Sequence, residues 1–282
     1  MLDGIILLWF VLTAASVLFV AVDIRSTPES QVLKWGFILV TAYTGPIGAF
    51  LYVLGCREPL PGSHERYVAA RWRQVLGSTM HCVAGDGVGI LAGAVIAAAI
   101  GLAGWLDVLL EYLLGFGFGW MIFQALFMRD MAGGSYRKAL RATFTSELLS
   151  MNLLMAGMVP TMIAIRTAVP EAKSPLAPEF WFAMSMALLV GALCAYPMNW
   201  WLVSHHLKHG MMTVRPTAAA GPGTAMEGMR HEAAGGGHAG HAVPGNAQAG
   251  AGAPPAVGRM ALLSFVALAA GMALAAAIAS IG

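Results

Sequence analysis

The residues of this chain best suited to chemistry sit together in Gly77-Ser78-Thr79-Met80-His81-Cys82-Val83-Ala84-Gly85-Asp86-Gly87. Ser78, Cys82 and Asp86 recur every four residues and share one face of a helix, with His81 beside them. Imidazole, thiolate and carboxylate within two turns suit a transition metal. The same helix carries a stripe of Gly85, Gly89 and Gly93, beside which a His or Asp need only hydrogen-bond a neighbouring helix. Spacing leaves both readings open.

Other ligand-type side chains lie further along. Glu147 is followed by Met151, Met155, Met158 and Met162 on one helical face. Thioethers select Cu(I), so the stripe is a candidate metal path; methionine also fills apolar cores, and packing is the commoner cause. After Trp200-Trp201 come His205, His206 and His209; at most two of them can chelate together from one helix face. Histidines at a helix C-terminus are also favoured by the helix dipole with no ligand. A later tract holds Met226, Met229, His231, His238 and His241, a candidate low-affinity collector or a plain spacer.

The elements that must position these groups are membrane helices. Of 282 residues 58% are hydrophobic and 11% charged, with mean hydropathy +0.71, whereas soluble domains carry about 25% charged residues. A net charge of +2 gives no basic surface for nucleic acid, and Cys56, Cys82 and Cys194 make neither a disulfide framework nor a paired zinc motif. The fold expected is all-α: a polytopic bundle of about seven transmembrane helices, each of roughly 20 apolar residues. Six of them, at about 4–22, 35–54, 76–101, 107–127, 144–165 and 180–203, form a core over 1–215. A Gly/Ala/Pro tract over 216–258 reads as a flexible linker, and a seventh span occupies 259–282. Alternate crossing puts twelve Lys and Arg on one face and four on the other, which predicts a cytoplasmic N-terminus and an external C-terminus. On that scheme His81, Cys82, Asp86, Glu147 and the 205–209 histidines all lie in the same half of the bilayer.

The stretch from Gly77 to Ile90 resembles the His-Cys-to-Gly-Asp helix of a prokaryotic membrane family known as domain of unknown function 4396. Ala195-Tyr196-Pro197-Met198-Asn199-Trp200-Trp201-Leu202-Val203 is similar to a second element of that family, and Ala142–Ser150 to a third. The likeness covers roughly 55–212. It implies a helical membrane core whose signature residues are His81, Cys82, Asp86 and the Tyr196–Trp201 segment, set in a prokaryotic cytoplasmic membrane. Many relatives carry a second cysteine in this helix near position 85, where this chain has Gly85, which counts against paired-cysteine chemistry. The family brings no activity with it.

The function expected is handling of a transition metal, copper favoured, by binding or transport. His81 and Cys82 would be primary ligands, Asp86 and Glu147 would compensate charge, and His205 and His209 would stand at the mouth. Binding would weaken below about pH 6, as imidazole protonates. One alternative is a membrane subunit or assembly factor for a larger enzyme complex, with other membrane subunits or further copies of the chain as partners. Another is a proton-coupled small-solute transporter using Asp86 and Glu147. No zincin, serine-nucleophile, phosphate-loop or dinucleotide motif points to an enzyme.

Overall fold

A computed structural model describes residues 2–129, 134–211 and 256–281; His231, His238 and His241 lie outside them. The described residues form helices and connecting turns, without strands. Six helical stretches are long and apolar enough to cross a membrane: α1 (Leu2–Asp23), α5 (Arg71–Ile100), Trp105–Arg129, α8 (Tyr136–Ala168), α9 (Pro178–Ser204) and α10 (Val257–Ile281). The stretch Trp105–Arg129 comprises α6 (Trp105–Gly117), a π-helical segment (Phe118–Gln124) and α7 (Ala125–Arg129). α1 and α10 bury little of themselves, and Leu7, Leu8, Leu18, Leu262 and Phe265 point outward. Apolar side chains on that scale fit a hydrocarbon solvent.

The second expected span, 35–54, takes another form. It is two helices, α2 (Gln31–Thr44) and α3 (Pro46–Gly55), folded back on each other at Gly45. Gly45 has φ 59° and ψ −139°, a conformation that side chains rarely adopt. Pro46 then starts α3 where its missing N–H costs nothing. The reversal is plain from distances. Phe37 and Tyr52, fifteen positions apart, have ring centroids 5.6 Å apart, where a continuous helix would separate them by about 22 Å. At the open end, Tyr52 Oη donates to Asp23 Oδ2 at 2.8 Å and Arg57 pairs with the same carboxylate at 2.9 Å. Thr27 Oγ1 lies 2.9 Å from Tyr52 Oη. Both ends of the hairpin thus meet the end of α1, while Trp9 and Thr13, further up α1, cover the turn. Hydropathy cannot separate a helix that crosses from two shorter ones that enter and return, which is why 35–54 read as a span.

Packing follows the small residues. The Gly85, Gly89, Gly93 stripe of α5 lies against the backbone of α6 and the π segment, at Gly119, Leu114 and Glu111. The close helix–helix contact expected of such a stripe is therefore present, and the polar face of α5 is left for other work. α8 runs unbroken through Pro160. The ring removes the bond Ala156 O would have received, and α10 packs there, with Gly271 against that carbonyl. Met151, Met155, Met158 and Met162 are all buried within the main apolar cluster. Their setting is that of core packing.

The hairpin depends on α2 and α3 meeting without a side chain between them. A Cβ at Gly48 would stand 2.7 Å from Thr41 Cα. Gly48→Leu is expected to destabilise the protein by about 1–3 kcal/mol, read as a lowered unfolding temperature in detergent. Gly117→Ala, with no atom within 4 Å of its Cβ position, should leave that temperature nearly unchanged; equal behaviour of the two variants would contradict the hairpin packing.

Candidate functional site

α5 and α8 start from the same end of the bundle, and each brings polar groups inward. Asp86 lies midway along α5, with His81 and Cys82 nearer its start and Glu147 eleven residues into α8. All four are buried: His81 is 4% exposed, Cys82 1%, and Asp86 and Glu147 0%. The structure thus brings together the four groups that the sequence placed at compatible depths.

Cys82 is the joint between them. Its thiol donates to Glu147 Oε2 at 3.3 Å and its sulfur accepts from Gln124 Nε2 at 2.9 Å. Gln124 ends the π-helical segment, whose extra residue per turn shifts the helix register beside the site, a placement frequent at functional sites. Gly119, within that segment, backs the two carboxylates. A Cβ there would collide with Asp86 Oδ1 and stand 2.6 Å from Glu147 Oε1, so the two oxygens crowd the same small space. His81 packs edge-on against Phe123 and tilted against Phe127 at centroid distances of 5.7 and 4.9 Å. No reading of the sequence could have found the π turn, because it is a register change and not a residue type.

The largest addition is Lys208. After α9 the chain turns at His206, whose φ of 57° is left-handed, and segment 205–211 runs back over the bundle. Met211 packs on Gly77, and Gly210 on Gln74. Lys208 Nζ enters the bundle, 3.4 Å from Glu147 Oε2 and 3.0 Å from Asn199 Oδ1, while Asn199 donates onward to Ser150 Oγ at 3.1 Å. Lys208 is 7% exposed. In the sequence it reads as one more loop cation next to histidines; only the fold-back makes it the counter-ion of Glu147. The positive signal that existed was Asn199, a polar residue inside an apolar span.

Of the two mouth histidines, only His209 reaches the site. It lines a small cavity of about 10 Å³, barely room for one water, together with Ser78, His81, Gln124 and Met211. Burial and the neighbouring His206 hold its imidazole below the ordinary histidine range. His205 instead caps α9: its Nδ1 lies 2.8 Å from Trp201 O and its ring tilts over the Trp201 ring at 4.6 Å.

Among the described residues eight buried side-chain N or O atoms lack a hydrogen-bond partner, and five belong here: Ser78 Oγ, His81 Nε2, both Asp86 oxygens and Glu147 Oε1. Buried polar groups are ordinarily satisfied. The donor types, N, S and carboxylate O, are ones that transition metals accept. In the described conformation, however, His81, Cys82, Asp86 and Glu147 are not drawn into a set of three ligand atoms mutually within 4.8 Å. Lys208 occupies the cation side of Glu147.

A second polar group lies at the opposite end of the bundle. Arg166, near the end of α8, pairs with Asp107 Oδ2 at 3.1 Å and approaches Glu111 Oε1 at 4.0 Å, both on the first turns of α6. Between the two groups, Tyr112 Oη donates to Asn152 Oδ1 at 2.7 Å, and Asn152 Nδ2 to Ser264 Oγ at 3.1 Å. Asp107 and Glu111 read in the sequence only as a blurred start to the fourth span. Arg166 explains them.

Removing one partner of a buried ion pair leaves the other uncompensated. Lys208→Met is therefore expected to cost about 3–5 kcal/mol of stability in detergent, seen as a fall in unfolding temperature. Adding Glu147→Gln should restore most of it. A single variant as stable as the parent would remove the ion pair from the account of this site.

No curated protein and no solved structure matches the chain. One family description does, over residues 71–208, and that range runs from the first residue of α5 to the buried lysine. It therefore takes in every group of the intramembrane cluster. Residues 71–208 belong to the family described as Domain of unknown function (DUF4396), and the site stands inside the family's own part of the chain.

Proposed function

We propose that the protein handles a cation within the membrane, and that Asp86 and Glu147, with His81 and Cys82 beside them, are where the cation is held. The observation that carries this is the cluster of five unpartnered buried polar atoms around them. One lysine balances only one of the two carboxylates in a low-dielectric bundle, so the other is uncharged only when it binds a cation of its own. A single added positive charge closes the balance, whether a proton or a monovalent metal ion. Among metals the donors favour Cu(I), since thiolate and imidazole are the softer ligands and Met151 packs close by at Gly115. Metal would displace the thiol proton of Cys82 onto one of the two carboxylates, which keeps the charge balanced, and would move Lys208 off Glu147.

The proton-coupled reading is favoured by a different observation. Polar groups are strung from the pocket at Ser78 and His81, through the carboxylate pair and Tyr112–Asn152, to Glu111 and Arg166. Intramembrane acids in series mark proton relays.

A hairpin in place of a span also changes the orientation proposed from the sequence. With six crossings, Arg25 and Lys34 join the basic face, giving fourteen Lys and Arg on one side and only Arg166 and Lys173 on the other. The positive-inside bias then puts both chain ends outside a prokaryotic cytoplasmic membrane and residues 24–70 inside. Reporters fused at each end should give the same external signal, and one inserted at Gly62 the opposite one. Ends on opposite sides would restore the original assignment.

Purified protein in liposomes carrying an internal Cu(I) chelating dye tests the metal reading, and an internal pH dye tests the proton reading. Parent protein should raise the entry rate of Cu(I) at least tenfold over empty vesicles. Cys82→Ser and His81→Ala should remove that gain, and Asp86→Asn should remove both metal entry and any proton movement. Proton movement that survives Cys82→Ser, without Cu(I) entry in the parent, would select the proton-coupled form. No movement of either cation would sink both.

A further inference from the structure

We propose that Glu29, Cys56 and His64 form a second metal site, distinct from the intramembrane cluster, that takes a borderline divalent transition metal of the zinc class. Among the described residues this is the group of His, Cys, Asp and Glu whose three ligand atoms all lie within 4.8 Å of one another. The three come from separate segments: the turn before α2, the residue that follows α3, and the first residue of α4 (His64–Val68). All are shut away from solvent, Glu29 at 4% exposure and Cys56 and His64 at 0%.

The carboxylate supplies an independent sign of a missing ligand. Ser30 N–H fixes Glu29 Oε2 at 3.2 Å, which leaves Oε1 buried, without a hydrogen-bond partner, and 3.9 Å from His64 Nε2. An acceptor left bare there is satisfied by a cation between it and the ring. His64 Nε2 lies 3.1 Å from Cys56 O, to which it donates its N–H; to ligate a metal it gives up that bond and its proton, the ring changing tautomer, while the His64 backbone N–H stays donated to Glu58 Oε1 at 3.1 Å. Cys56 is a free thiol. Cys56 binds metal as a thiolate and Glu29 as a carboxylate, so any proton held by either is released when metal enters.

The donor set selects the metal. Thiolate, imidazole and carboxylate are each accepted by Zn²⁺, the two anionic ligands cancel its charge, and three protein ligands leave one position open. Ligand atoms around a tetrahedral zinc stand about 3.3–3.8 Å apart, so closure from within 4.8 Å needs only small side-chain rotations. A metal here would tie together the two ends of the α2–α3 hairpin and α4. The site lies outside residues 71–208 and so belongs to the part of the chain before the family segment.

Cobalt(II) serves as the probe, because thiolate ligation gives it a charge-transfer band in the near ultraviolet. The full chain in detergent should bind about one equivalent with that band. The band should persist in Cys82→Ser, vanish in Cys56→Ser, and need at least tenfold more cobalt in Glu29→Gln, each variant eluting as a single species. Zinc added in excess should displace the cobalt and bleach the band. No band in the parent, a band that survives Cys56→Ser, an unchanged titration in Glu29→Gln, or loss in Cys82→Ser would each overturn the assignment. None of these outcomes bears on cation movement through the bundle, which the liposome measurement reads separately.

Discussion

Carboxyl groups cannot sit in the middle of an apolar bundle unless something offsets their lost hydration, and here two of them share one small space. The solvation penalty for a buried ion is several kcal/mol even after the protein relaxes. Asp86 and Glu147 therefore constrain what surrounds them. Gln124 must reach Cys82, Cys82 must reach Glu147, and Lys208 must come in from outside the spanning helices. Gly119 must lack a side chain so that the two oxygens fit at all. The π-helical segment, the fold-back after α9 and the left-handed residue at its turn are local irregularities that serve one electrostatic requirement.

The same requirement explains the layout of the rest. Apolar helices have little hydrophobic reason to associate in lipid, so contact is made through small residues and polar bonds. α5 uses both: glycines face α6, and the His-Cys-Asp side faces α8 and the returning lysine. α10, distant in the chain, is tied in by Asn152 to Ser264 and by the carbonyl that Pro160 frees on α8. The outer faces of α1 and α10 are left to the bilayer.

Much of this was legible in the chain itself, and the reasons divide cleanly by type of signal. Long apolar runs mark helices, so five of the spans stand where hydropathy puts them and the last at the end of the chain. The four-residue recurrence of Ser78, Cys82 and Asp86 marks a shared face, and counting crossings sets Glu147 at the same depth. What hydropathy lacks is direction. It cannot tell that Gly45 reverses the chain, since the residues on either side are equally apolar. Nor does a local pattern connect Glu29 to Cys56 and His64, because their meeting is a product of that reversal. Lys208 and Arg166 look like ordinary flanking cations until their carboxylates are located across the bundle.

The returning segment at 205–211 has a kinetic and thermodynamic meaning of its own. Its lysine is a cation on a leash only four residues beyond the end of α9. Tethering of this kind gives a group an effective concentration at its partner in the millimolar range or above. On the cation-handling proposal, a free cation approaching Glu147 would compete with that built-in occupant, and its affinity would be the intrinsic affinity divided down by the leash. On that proposal, freeing Lys208 from Glu147 would tighten cation binding without touching Asp86, Glu147, His81 or Cys82.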